Sequence, residues 1–137
     1  MDKNFLWAPW RMDYIQNPNK EQDVFLKKIK SSDDRKHLVL HRSVNSFVVM
    51  NLYPYNNGHL MVVPYEKYDD MTKLNVDTLS EIMSLSKDSM KILKDKLHCE
   101  GFNFGLNMGK AAGAGIDDHL HFHIVPRWMG DSNFMPV

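Results

Sequence analysis

Apolar and polar positions alternate with a period of two in five short runs and follow a helical period in two others. Residues 37–41, 46–51 and 59–63 are the first three alternating or apolar runs, the third stopped by Pro64. Asn57-Gly58 stands directly before the third run, a strong turn signal, so runs two and three are expected to pair as an antiparallel hairpin. Residues 102–107 alternate again. The fifth run is His119-Leu120-His121-Phe122-His123-Ile124-Val125. It predicts a strand over 119–125 with Leu120, Phe122 and Ile124 toward the core. The three histidines then share the other face, successive ones roughly 6.5–7 Å apart.

The helical period appears first in residues 21–30, where Val24, Phe25 and Ile29 form an inward face. It reappears over residues 74–97, with Leu79, Ile82, Met83, Met90, Leu93 and Leu97 on one side and Asn75 placed to cap the start. Gly101 is expected to take the left-handed conformation that ends this helix. These elements predict an α+β fold: an antiparallel meander sheet of about five strands with one long helix and a short one. Residues 1–137 read as a single domain, with an N-terminal arm over 1–20 and a tail over 126–137.

Composition narrows the function classes. The 137 residues are 43% hydrophobic and 25% charged with a formal net charge of zero. That is ordinary for a folded domain and provides no electrostatic footprint for nucleic acid or a membrane surface. The N-terminal stretch has no apolar run of signal length and nothing approaches a membrane span, so the cytoplasm is the expected compartment. The single Cys99 excludes an internal disulfide and a multi-cysteine zinc site. Trp7, Trp10 and Arg11 in the arm suit either a hydrophobic plug or a stacking surface with an anion contact, and Trp128 in the tail is a further large aromatic.

The small-residue loop 109–115 precedes the histidine run. It is not a P-loop, because no Gly-Lys-Ser/Thr closes it and a strand follows. It lacks the third glycine and the helix of a dinucleotide fingerprint. It reads either as a plain turn or as a phosphate cradle assisted by Lys110. The histidine row itself has three readings. The imidazoles are satisfied by ordinary hydrogen bonds; or they bind metal, as in a cupin-type enzyme; or one is a nucleophile toward phosphorus, flanked by the others. A metal would need His59, Asp117 or Asp118 as well, because the outer two histidines of a straight row stand on the order of 13 Å apart. An all-β cupin also fits poorly with the 74–97 helix. A nucleotide-binding module without turnover is a further alternative.

The run His119-Leu120-His121-Phe122-His123-Ile124-Val125 resembles the His-φ-His-φ-His-φ-φ signature of the histidine triad (HIT) superfamily. The likeness continues through Asn51, Gly58-His59-Leu60-Met61-Val62-Val63-Pro64 and Asn107-x-Gly109. Residues 6–15 and Pro126-Arg127-Trp128 look like the bacterial branch related to diadenosine tetraphosphate phosphorylases. The resemblance implies a nucleotidyl transferase or hydrolase acting on nucleoside 5′-phosphoryl compounds such as diadenosine polyphosphates. A nucleoside phosphoramidase-type hydrolase is the alternative within the family. It implies His121 as the nucleophile that forms a nucleotidyl-histidine, flanked by His119 and His123 and supported by His59. It implies Asn51 at the ribose, Val49 and Met61 walling the base, and Asn107, Gly113 and Gly115 near the phosphates. It implies a homodimer with joined sheets, no obligatory cofactor, and Mg²⁺ accompanying a polyphosphate at most. Many relatives carry Cys-x-x-Cys in the early helix as half of a zinc site. Here that stretch is Asp23-Val24-Phe25-Leu26, so no structural zinc is expected. Where some relatives place Gln or Ser before the triad, this chain has Gly115-Ile116-Asp117-Asp118.

Overall fold

A computed structural model describes residues 23–52, 56–114 and 119–131; the N-terminal arm with its tryptophans, Gly115 and the end of the tail lie outside the described residues. Helix α1 spans Val24–Lys30. Strands β1 (Val39–Arg42), β2 (Ser46–Met50) and β3 (Leu60–Pro64) follow. Helix α2 runs over Val76–Leu97, then β4 over Gly101–Leu106 and β5 over Phe122–Arg127. The five strands form one antiparallel sheet in the order β1-β2-β3-β5-β4. The expected β2–β3 hairpin is present, with Gly58 at φ +76° in its turn. The order departs from a sequential meander at one point: α2 carries the chain past one strand position, and β5 returns to fill it.

The sheet has an apolar cluster on each face. Val48, Leu60, Val62, Leu120, Phe122 and Ile124 meet α2 residues Ile82 and Leu93. On the other face Val39, Phe47, Val49, Met61 and Val63 meet Phe25 of α1. Alternation along the strands divides the two sets.

Three details correct the sequence reading. Met83 is 57% exposed and Leu97 lies at the margin; the inward row of α2 is Thr78, Ile82, Ser86, Ser89 and Leu93. Ser86 is tolerated there because its hydroxyl donates to the Ile82 carbonyl at 2.7 Å; of the expected apolar face, Leu79, Ile82, Met90 and Leu93 do pack on the core. The left-handed exit of α2 is His98, at φ 53°, while Gly101 already belongs to β4. The histidine strand begins at Phe122 rather than at residue 119, because the ladder with β3 starts at Val62 opposite Phe122. Upstream, the Leu120 N–H turns to the Tyr68 carbonyl and the His119 carbonyl to the His121 ring. The 22-residue helix packed on the sheet excludes an all-β cupin.

Candidate active site

The face of the sheet opposite α2 brings four histidines together. His119 and His121 lie on the extended approach to β5, His123 within β5, and His59 just before β3. All four are buried. The His121 and His123 ring centroids are 4.9 Å apart, and those of His59 and His123 are 5.0 Å apart.

The hydrogen bonds distinguish these rings. Nδ1 of His121 lies 2.9 Å from the His119 carbonyl oxygen. A carbonyl only accepts, so Nδ1 carries the proton and the neutral ring keeps its lone pair on Nε2. Nε2 of His119 donates to the Pro64 carbonyl at 2.8 Å, fastening the strand approach to the end of β3. Nε2 of His59 lies 2.8 Å from Nδ1 of His123. Of that pair one ring donates and the other accepts, so one proton lies in the bond that joins them. Nδ2 of Asn51 is 3.3 Å and 3.4 Å from the two nitrogens of His59. Near-equal distances mean that the amide does not select the tautomer of His59.

Burial pushes the His121 imidazole below its ordinary value, outweighing the opposing effect of the bond to His119; the neighbouring His119 ring adds to the lowering. The residue is 6% exposed. A neutral imidazole with its lone pair on a fixed nitrogen is a nucleophile at neutral pH.

Other expected site residues are placed as follows. Val49 and Met61 are buried beneath Phe25. Asn107 follows β4 and is half-buried. Gly113 is exposed at φ 81°, and its N–H donates to the Lys110 carbonyl. The amides of Ala112 and Ala114 donate to the Gly109 carbonyl, so this part of the loop spends its N–H groups within its own turn. Among the described residues no group of three or more His, Cys, Asp or Glu is arranged to hold a metal ion. No helix among them is long and apolar enough to cross a membrane.

Phe25 was legible in the sequence only as core. Its ring lies 5.3 Å from that of His119 and 5.2 Å from that of His121, so it also covers the histidine face. Helical spacing marks such a residue as buried but says nothing of what it is buried against.

Residues 33–129 match the HIT domain. The chain belongs to the HIT family. The AP-4-A phosphorylase of Mycobacterium tuberculosis is 38% identical over 140 residues, covering 96% of this chain and 72% of that protein. A zinc-bound histidine triad family protein from Mycobacterium smegmatis superposes with a TM-score of 0.63 at 26% identity, covering 73% of this chain and 74% of that one. A HIT family protein from Bacillus anthracis superposes with a TM-score of 0.71 at 23% identity, covering 85% and 82%, a likeness of fold. The HIT match spans every strand of the sheet and all four histidines of the site.

Proposed function

We propose that this HIT-family chain is a nucleotidyl transferase or hydrolase that acts on nucleoside 5′-phosphoryl compounds, diadenosine polyphosphates among them, through a nucleotidyl-histidine on His121. The observation that carries this reading is the His121 tautomer, with Nδ1–H held by the His119 carbonyl and the lone pair on Nε2. Nε2 attacks the α-phosphorus, a P–N bond forms, and the P–O bond to the leaving phosphate or nucleotide breaks. A phosphate leaving group departs as an anion and requires no proton at neutral pH. In the second step inorganic phosphate, or water that gives up a proton to the His59–His123 pair or to solvent, attacks the same phosphorus, the P–N bond breaks, and the Nε2 lone pair is restored. The His59–His123 pair lies beside the nucleophile and can hold or release a proton toward the transferred group's oxygens. Positioning and charge stabilisation carry most of such a reaction.

His119 is the positioning member of the row, since its Nε2–H is bonded to Pro64. Asn51 meets the ribose hydroxyls beside His59. Val49, Met61 and Phe25 form the apolar wall against which the base lies, and Asn107 contacts phosphate. The active form is a homodimer joined through the outer edge of β4, where Phe104 is 37% exposed.

The similarity to an AP-4-A phosphorylase supports diadenosine tetraphosphate as the first substrate to test. The enzyme is incubated with it with and without inorganic phosphate, and the products are separated by chromatography. ADP with ATP appearing only in phosphate identifies phosphorolysis; AMP with ATP identifies hydrolysis. No turnover of this compound, of a diadenosine triphosphate or of an adenosine phosphoramidate overturns the reading.

A further inference from the structure

Among the described residues helix α1 is held by Phe25 and Ile29 in the core, by the Lys28 bond to the His37 carbonyl and by contacts at its two ends. It is seven residues long, its N-cap residue Asp23 makes no capping hydrogen bond, and Phe25 is its one fully buried residue. A helix this short is not stable by itself in water. The carbonyls of its last turn also need donors from outside the helix. The Ser31 N–H serves the Lys27 carbonyl at 3.1 Å, and one side chain serves the next two. Arg42, on β1, donates through Nη2 to the Lys28 carbonyl at 2.6 Å and the Ser31 carbonyl at 2.9 Å. Its Nη1 donates to the Ile29 carbonyl at 3.2 Å. Its Nε donates to Asp34 Oδ1 at 2.9 Å, and the same carboxylate oxygen lies 2.8 Å from Nη2. Arg42 stands opposite Phe47 in the β1–β2 ladder, and Phe47 belongs to the cluster that contains Phe25.

We propose that Arg42 is a positioning residue for the His121 site: it fastens the C-terminal end of α1 to the sheet and thereby seats Phe25 on the rings of His119 and His121. The proposal rests on His121 being the nucleophile, but its mechanism is physical and can be read without turnover. A planar guanidinium reaches three carbonyls and a carboxylate at once. A lysine in its place has a compact three-donor head on a flexible stem and cannot reproduce the fork. Loosening α1 withdraws Phe25, admits water to His121 and removes the burial that disfavours its charged form. Among the described residues the other ionisable groups around the ring are His119 and His123 on its own segment, His59 behind His123, and Asp23, which interacts electrostatically with His119. Asp23, Lys27 and Lys67 lie at the opposite end of α1, with Asp23 paired to Lys67. None of these contacts involves Arg42, so the titration of His121 reports on the clamp.

The test is an NMR titration of the His121 ring in the full chain, comparing the parent with Arg42→Lys, Arg42→Ala and Asp34→Asn, each checked for folding by circular dichroism. In the folded Arg42 variants the His121 midpoint is expected to rise toward the ordinary imidazole value. The acid limb of kcat/KM should move up in parallel, and kcat/KM at neutral pH should fall about tenfold in Arg42→Lys. Asp34→Asn keeps the three carbonyl bonds and should move the midpoint the same way by less. If Arg42→Lys and Asp34→Asn fold and leave both the midpoint and kcat/KM at parental values, the proposal is overturned. Should Arg42→Lys fail to fold, Asp34→Asn decides, since an unmoved midpoint there also overturns it. A shifted midpoint in a chain that forms no nucleotidyl-histidine would instead count against the catalytic reading and leave the clamp standing.

Discussion

His121 differs from its neighbours through one hydrogen bond and its degree of burial. The bond to the His119 carbonyl selects the tautomer, and burial keeps the ring neutral. If His121 is the nucleophile, replacing it by Ala should lower turnover by at least about a thousandfold, because the neighbouring rings are turned to other partners, His119 to Pro64 and His123 to His59. The measurement is kcat/KM on diadenosine tetraphosphate, and a variant as active as the parent would sink the mechanism. The pH dependence follows from the lowered pKa. In the proposed reaction the neutral ring attacks, so the rate should fall as pH drops through that pKa, placing the acid limb below the roughly 6.5 of free imidazole. A single-turnover profile that is flat from pH 5 to 8, or an acid limb above that value, contradicts this. The period-2 pattern placed all three histidines on one face. It did not tell them apart, because a ring's partner depends on chain segments distant in sequence: Pro64 for His119 and His59 for His123.

At the scale of elements, α2 is tied to the sheet by a polar contact that hydrophobic patterning does not reveal. The Glu81 carboxylate accepts from the Ser43 hydroxyl at 3.0 Å, the Asn45 amide at 2.9 Å and the Ser46 hydroxyl. Burial alone would raise its pKa, but these donors together outweigh burial and hold it below the ordinary 4.5. A lowered carboxylate pKa contributes stability that is present above the unfolded value and lost as pH falls through the folded one. Glu81→Gln should accordingly cost about 1 kcal/mol at pH 7 and progressively less below about pH 4, measured by urea denaturation across pH. An equal cost at pH 7 and pH 3 would contradict the assignment. The start of α2 is simpler. The Asn75 side chain accepts from the Thr78 amide at 2.8 Å, as the sequence predicts for an N-cap, and Asn75→Ala should cost about 1 kcal/mol. The β2–β3 turn depends on Gly58, whose φ is +76° and where an added Cβ would lie 2.6 Å from Leu97 Cδ1. Gly58→Ala should destabilise the fold by about 1–2 kcal/mol, read as a lowered urea midpoint.

For the whole molecule, the order β1-β2-β3-β5-β4 puts β5 between two partners and leaves β4 at an edge. The histidine face is thus held in the interior of the sheet, and α1 covers it from outside. If the active form is a dimer through β4, sedimentation at micromolar concentration should give twice the chain mass, and Phe104→Asp should shift it toward the monomer. A parent that sediments as a monomer would remove the dimer from the proposal.

The sequence by itself determined the elements, the two faces of the strands, the hairpin turn and the family, because these depend on local period and on residues close together in the chain. The histidine row was therefore visible at once, as were the Asn75 cap and the Gly58 turn. Tertiary structure alone decided where β5 begins, which side of α2 packs, and which ring faces which partner. Pro64, Tyr68 and Glu81 settle those questions from positions tens of residues away. Phe25 and Arg42 illustrate the same limit. One looked like core and the other like an ordinary strand cation, and only the packing of α1 onto the sheet connects both to His121.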